Sequence, residues 1–176
     1  MSSIFWGFLL TFLDFNLTAG TSIIGLLPDF IGFLLIAKGL NALGTKSEFF
    51  TKALPLAKGM FVYTAILYAL DLFGFAGTLG IFGMILGMIS TIVGLYISYN
   101  IVQGILDLER LYSVDLNGQT LFNLWKPLAV FEILVYATIF VPLLGVFLLI
   151  AILITTILFL INLNTTKNRY EQLQDR

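Results

Sequence analysis

The basic residues of this chain are segregated with respect to its apolar runs, and that segregation limits what the chain can fold into. All nine are Lys38, Lys46, Lys52, Lys58, Arg110, Lys126, Lys167, Arg169 and Arg176. The apolar runs between them pair into hairpins whose other turns carry no basic residue. Positive charge is retained on the cytoplasmic side during membrane insertion, so the pattern is a topology signal. It predicts an all-α, polytopic membrane protein of six transmembrane helices in three hairpins, with both termini cytoplasmic. A spanning helix needs about 20 apolar residues. The expected segments are about 3–17, 23–43, 55–73, 79–100, 121–141 and 143–164, forming one transmembrane domain over 1–164. A polar, frayed or surface-lying cytoplasmic tail follows at 165–176.

Composition agrees. Hydrophobic residues make up 59% and charged residues 11%, against roughly 45–50% and about 25% in soluble domains. A mean hydropathy of +1.01 leaves no room for a separate soluble domain. The absence of cysteine and histidine removes thiolate chemistry, the commonest metal ligand and the commonest general base. No basic patch lies outside the cytoplasmic loops, so nucleic acid is not an expected partner. The start of the chain lacks the basic region of a signal peptide. Gly39 to Ser47 falls one residue off a phosphate loop and on no strand, and Asn16-Leu-Thr18 lies too near the membrane to read as a glycosylation acceptor.

Two inner connections, 46–54 and 101–112, gather apolar residues on one helical face and read as interfacial helices or as extensions of the membrane helices. An internal repeat links the last four segments. Phe50-Thr-Lys-Ala-Leu-Pro-Leu-Ala57 matches Phe122-Asn-Leu-Trp-Lys-Pro-Leu-Ala129, and Leu79-Gly-Ile-Phe82 matches Leu144-Gly-Val-Phe147. In the same register Ser90 and Thr91 fall opposite Thr155 and Thr156, a polar layer at mid-membrane. Leu27-Pro-Asp-Phe30 marks the first hairpin as a more distant copy. Two-segment repeats keep one orientation, so these are parallel repeats about an axis along the membrane normal.

The repeat places Lys38 level with Ser90, near mid-bilayer, where a charge must be paired or wet. Glu132 is the expected partner, as a buried switch or as a plain ion pair between helices. Asp14, Asp29 and Asp71 fall at the outer ends of their segments with no basic residue on that side. They are the candidates for a cation, proton or basic ligand, with Asp29 and Asp71 expected close together. Asp29 follows Pro28 and also suits the first turn of a helix. Gly80, Gly83, Gly87 and Gly94 form a small-residue stripe expected to pack against another helix.

Leu13-Asp-Phe-Asn-Leu17, Gly25-Leu-Leu-Pro-Asp-Phe-Ile-Gly-Phe-Leu-Leu-Ile36 and Lys52-Ala-Leu-Pro-Leu-Ala57 resemble a family of small uncharacterised multi-pass membrane proteins of Gram-positive bacteria. The resemblance covers about the first 60 residues well and the rest in layout. It implies a bacterial plasma membrane and contributes no catalytic residues. The expected function is non-enzymatic binding or transport of a small solute or cation, with no cofactor and no resident metal. Acid–base chemistry would have to come from carboxylates and tyrosines alone. The alternative is an accessory or assembly protein that docks a larger membrane partner through the glycine face of the fourth segment; a homo-oligomer is a separate expectation.

Overall fold

Proline cannot donate a backbone hydrogen bond and favours the first positions of a helix. Pro28 accordingly stands just outside the second helix, which starts at Asp29. The computed structural model describes residues 1–12, 16–19, 22–25, 28–73, 80–138 and 141–175. They form α1 (Ser2–Phe12), β1 (Asn16–Ala19), β2 (Ser22–Gly25), α2 (Asp29–Leu43), α3 (Glu48–Leu72), α4 (Gly80–Tyr112), α5 (Gly118–Ala137) and α6 (Pro142–Gln174). The strands pair antiparallel, with Asn16 opposite Gly25 and Ala19 opposite Ser22.

The protein is all-α in its framework, and among the described residues four of six helices, α3 to α6, are long and apolar enough to cross a membrane. The first two segments differ from expectation. α1 has 11 residues and α2 has 15, about 17 and 22 Å at a rise of 1.5 Å per residue, short of a hydrocarbon core of about 30 Å. The stretch read as the end of one helix and the start of the next is a β-hairpin instead. It holds Thr18, Ser22 and Gly25, residues that favour turns and strands over helix.

Each helix packs on the next in sequence, and α1 also packs on α6, which closes the series. Phe8 of α1 meets Phe159 of α6 edge to face at 5.9 Å. The closest approach is between α1 and α2. A Cβ on Gly32 would stand 2.8 Å from the Gly7 carbonyl oxygen, and one on Gly39 would stand 3.0 Å from the Ile4 nitrogen. Small residues there let the two backbones nearly touch.

Burial concentrates toward the ends of the helices that carry the basic residues. Phe50, Ala53, Ile101, Ile105, Leu108 and Leu121 form a sealed core. The stretches 46–54 and 101–112 are the start of α3 with the turn before it and the last turns of α4, and their apolar faces pack inside the protein. Toward the other ends the helices present large apolar side chains outward, with Phe73 76%, Phe82 75% and Leu143 72% exposed. Such a surface is costly in water and expected in lipid.

The chain after residue 164 is not frayed. α6 runs on to Gln174, and Tyr170 on it is 2% exposed. Lys46 donates to the Tyr170 hydroxyl at 2.7 Å and lies over the Tyr112 and Tyr170 rings. Arg169 donates to Asp115 at 2.7 Å, and Asn117 donates to Asn162 at 2.9 Å. These bonds tie the last turns of α6 to the turns before α3 and α5. In the α4–α5 turn, Ser113 and Asn117 take positive φ. Glu109 closes it by accepting from the backbone N–H groups of Leu116 and Gly118 at 2.8 and 2.7 Å, which satisfies a donor at the start of α5.

Candidate functional site

α4 and α5 run antiparallel along a polar seam. Thr91 and Tyr136 share a hydrogen bond at 2.8 Å, and nearer the basic end the Trp125 indole N–H donates to Ser98 at 2.9 Å. Glu132 lies one helical turn before Tyr136 and on the same face, since side chains four apart stack along a helix. That places it beside Gly94, where an added Cβ would meet nothing within 4 Å.

The space left there belongs to a cavity of about 170 Å³, lined by Phe8, Thr11 and Phe12 of α1, Asp29, Phe33 and Ile36 of α2, Ser90, Thr91, Gly94, Leu95, Ile97 and Ser98 of α4, and Leu128 and Glu132 of α5. Two carboxylates and four hydroxyls thus face one pocket among the described residues, and no basic side chain lines it. Asp29 reaches it from the first turn of α2, where exposed backbone N–H groups favour a carboxylate. The Thr11 hydroxyl donates to the Gly7 and Phe8 carbonyls at 3.2 and 3.1 Å, and Ser98 to that of Leu95 at 2.9 Å. Each hydroxyl so bonded keeps lone pairs that can accept from, or coordinate, a guest.

The structure redistributes the residues picked from sequence. Asp29 and Glu132 share the cavity, whereas Asp71, near the end of α3, is not among its lining residues. Asp29's neighbour Phe30 turns instead toward Phe61 and Tyr68 of α3. Asp14 lies outside the described residues. The expected Lys38–Glu132 ion pair is corrected. Lys38 is exposed, two residues from the buried Ile36, on the opposite face of α2, and the ion pairs among the described residues are Lys52–Glu48, Arg110–Asp107 and Arg169–Asp115. The register also differs, because Asp29 rather than Lys38 lines the pocket with Ser90. Lys38 then lies about 13 Å further toward the basic end.

The polar layer divides. Ser90 and Thr91 line the cavity, Thr155 donates to the Ala151 and Ile152 carbonyls of its own helix, and Thr156 is buried on α6 without lining the cavity. On the α4 glycine stripe, a Cβ added at Gly87 would meet the Tyr136 hydroxyl at 3.7 Å, and Gly94 opens onto the cavity. Gly80 opens α4 and Gly83 follows one turn later. Sequence reasoning missed Thr11, which lines the cavity from α1.

No protein-family model, curated protein or solved structure matches this chain.

Proposed function

We propose that this is an integral protein of a bacterial plasma membrane that binds a small cation or a proton in the cavity between α1, α2, α4 and α5. The observation that carries the reading is Asp29 and Glu132 facing one small pocket with hydroxyls around them and no basic side chain lining it. Two carboxylates that share one small pocket repel each other when both are ionised, and a guest cation or proton relieves that repulsion. Ionisable groups inside membrane helices line ion and proton paths more often than they serve structure.

In this reading the basic ends face the cytoplasm, as do both termini. Lys167 over the Phe5 ring at 5.3 Å supports their common side, since it joins the last turns of α6 to the start of α1. α3 with α4 and α5 with α6 are repeats, with Pro55 and Pro127 inside the first helix of each. α1 and α2, with the hairpin between them, are a shortened third copy. The protein is not an enzyme; binding, with or without passage of the ion, is its activity.

The test is the melting temperature of the purified protein across pH 5–8 and in titrations of sodium, potassium, magnesium and calcium. Wild type, Asp29→Asn and Glu132→Gln are compared. A ligand bound only by the folded state raises the melting temperature as its concentration passes Kd. The expected result is a cation- or pH-dependent rise in wild type that either substitution removes. Flat, superimposable profiles for all three proteins would end the proposal.

A further inference from the structure

A second, chemically different concavity lies on the outer surface of the α4–α5 pair. It is a groove of about 350 Å³ with no polar surface, walled by Ile92, Ala129 and Ile133 and ending toward the basic side at Tyr96, Tyr99 and Trp125. Ile92, Tyr96 and Ile133 are about half exposed. Apolar walls running into aromatic rings follow the gradient from acyl chains to the interfacial layer, where tyrosine and tryptophan settle.

Charge lies just past the aromatic end. Trp125 stacks on Phe122 with ring centres 6.3 Å apart, and Tyr99 tilts against Trp125 at 5.1 Å. The Lys126 ammonium sits 4.4 Å from the centre of the Phe122 ring. Lys126 is exposed and is not a partner in any ion pair among the described residues. Lys52, within electrostatic reach of Tyr96, is already paired with Glu48 at 2.8 Å. An apolar trough, an aromatic collar and one cation in line match the parts of a lipid whose headgroup is negative. We infer that the α4–α5 groove holds one acyl chain of an anionic glycerophospholipid, with its phosphate at Lys126.

The site needs only that α4 and α5 lie in lipid, and it is independent of the acidic cavity. One lysine near a charged headgroup favours an anionic over a zwitterionic lipid about fivefold. The test uses native mass spectrometry of the full chain released from micelles with equal phosphatidylglycerol and phosphatidylcholine. Wild type, Lys126→Gln, Lys58→Gln and Ile133→Trp are compared, all changed at exposed positions. Ile92→Trp on the opposite wall replaces Ile133→Trp if that variant does not melt cooperatively.

Wild type is expected to retain phosphatidylglycerol about fivefold over phosphatidylcholine. Lys126→Gln should bring the ratio near one, Lys58→Gln should leave it unchanged, and a tryptophan in the groove should lower retention of both lipids. Parity in wild type overturns the proposal, as does an unchanged ratio in Lys126→Gln. An equal fall in Lys58→Gln would make the preference a property of general surface charge, and full retention with the groove filled would place the lipid elsewhere.

Discussion

Gly32 and Gly94 show how one residue type does opposite things at two places. A side chain on Gly32 would strike the Gly7 carbonyl and Thr11, while one on Gly94 would enter open space. Gly32→Leu should therefore separate α1 from α2 and cost at least about 1–3 kcal/mol through overpacking, read as a lowered melting temperature or loss of folded protein. Gly94→Leu should leave the melting temperature nearly unchanged and abolish any cation response by filling the cavity beside Glu132. Asp115 gives a separate prediction. Its carboxyl is held below the ordinary value, first by the Asn117 backbone N–H and next by Arg169. A depressed folded value means that the native state takes up the proton less readily than the unfolded chain. The stability it adds is complete above the ordinary carboxylate range and is lost as pH falls through the depressed value. Asp115→Asn should flatten the acid limb of the melting curve, weakly and less so in high salt, because the group is exposed.

At the scale of the element, α6 is the clearest departure from what its sequence suggests. Its polar end from residue 165 has no continuous apolar stripe, and in isolation it would fray. In the folded chain Thr166 and Tyr170 are buried, and Lys46 and Asp115 hold that end from other elements. Removing residues 165–176 should thus unfold the basic end rather than trim a tail. Tyr170→Ala alone should cost about 3 kcal/mol by leaving a core cavity. Tyr170→Phe, which loses only the hydroxyl that Lys46 donates to, should cost about 1 kcal/mol, and unfolding of the three proteins in detergent ranks them. α2 departs in the other direction. Hydropathy carries a helix back through Ile23 and Ile24, yet those residues are in strand pairing, because Gly25 and Pro28 interrupt the helical ladder.

For the whole molecule, helix length against membrane thickness matters most. α4 and α6 each have 33 residues, about 50 Å, so about 20 Å of each extends beyond a hydrocarbon core of about 30 Å. The sealed core packs Phe50 of α3 with Ile101 and Leu108 from such an extension of α4; outside the hydrocarbon core water rather than lipid is displaced and burial is rewarded. The proposed orientation has a direct check, since the chain carries no cysteine of its own. Asn168→Cys should react with a membrane-impermeant maleimide only after cells are permeabilised, and Val141→Cys should react in intact cells. The reverse pattern would invert the topology.

Hydropathy and length by themselves determined that α3 to α6 are long and apolar enough to cross a membrane, because a run of apolar side chains of that length is read locally, without reference to neighbours. Sequence alone also marked Asp29 and Glu132, because a carboxylate in an apolar helix is conspicuous wherever the helix goes. The tertiary structure decided which of these residues meet. It turned Lys38 to the outside of α2, brought α1 and α2 into close contact at Gly7, Gly32 and Gly39, and set Glu132 across a cavity from α1 and α2. Rotation and register between apolar helices depend on which small and large side chains interlock. That information is shared between two segments and is carried by neither alone.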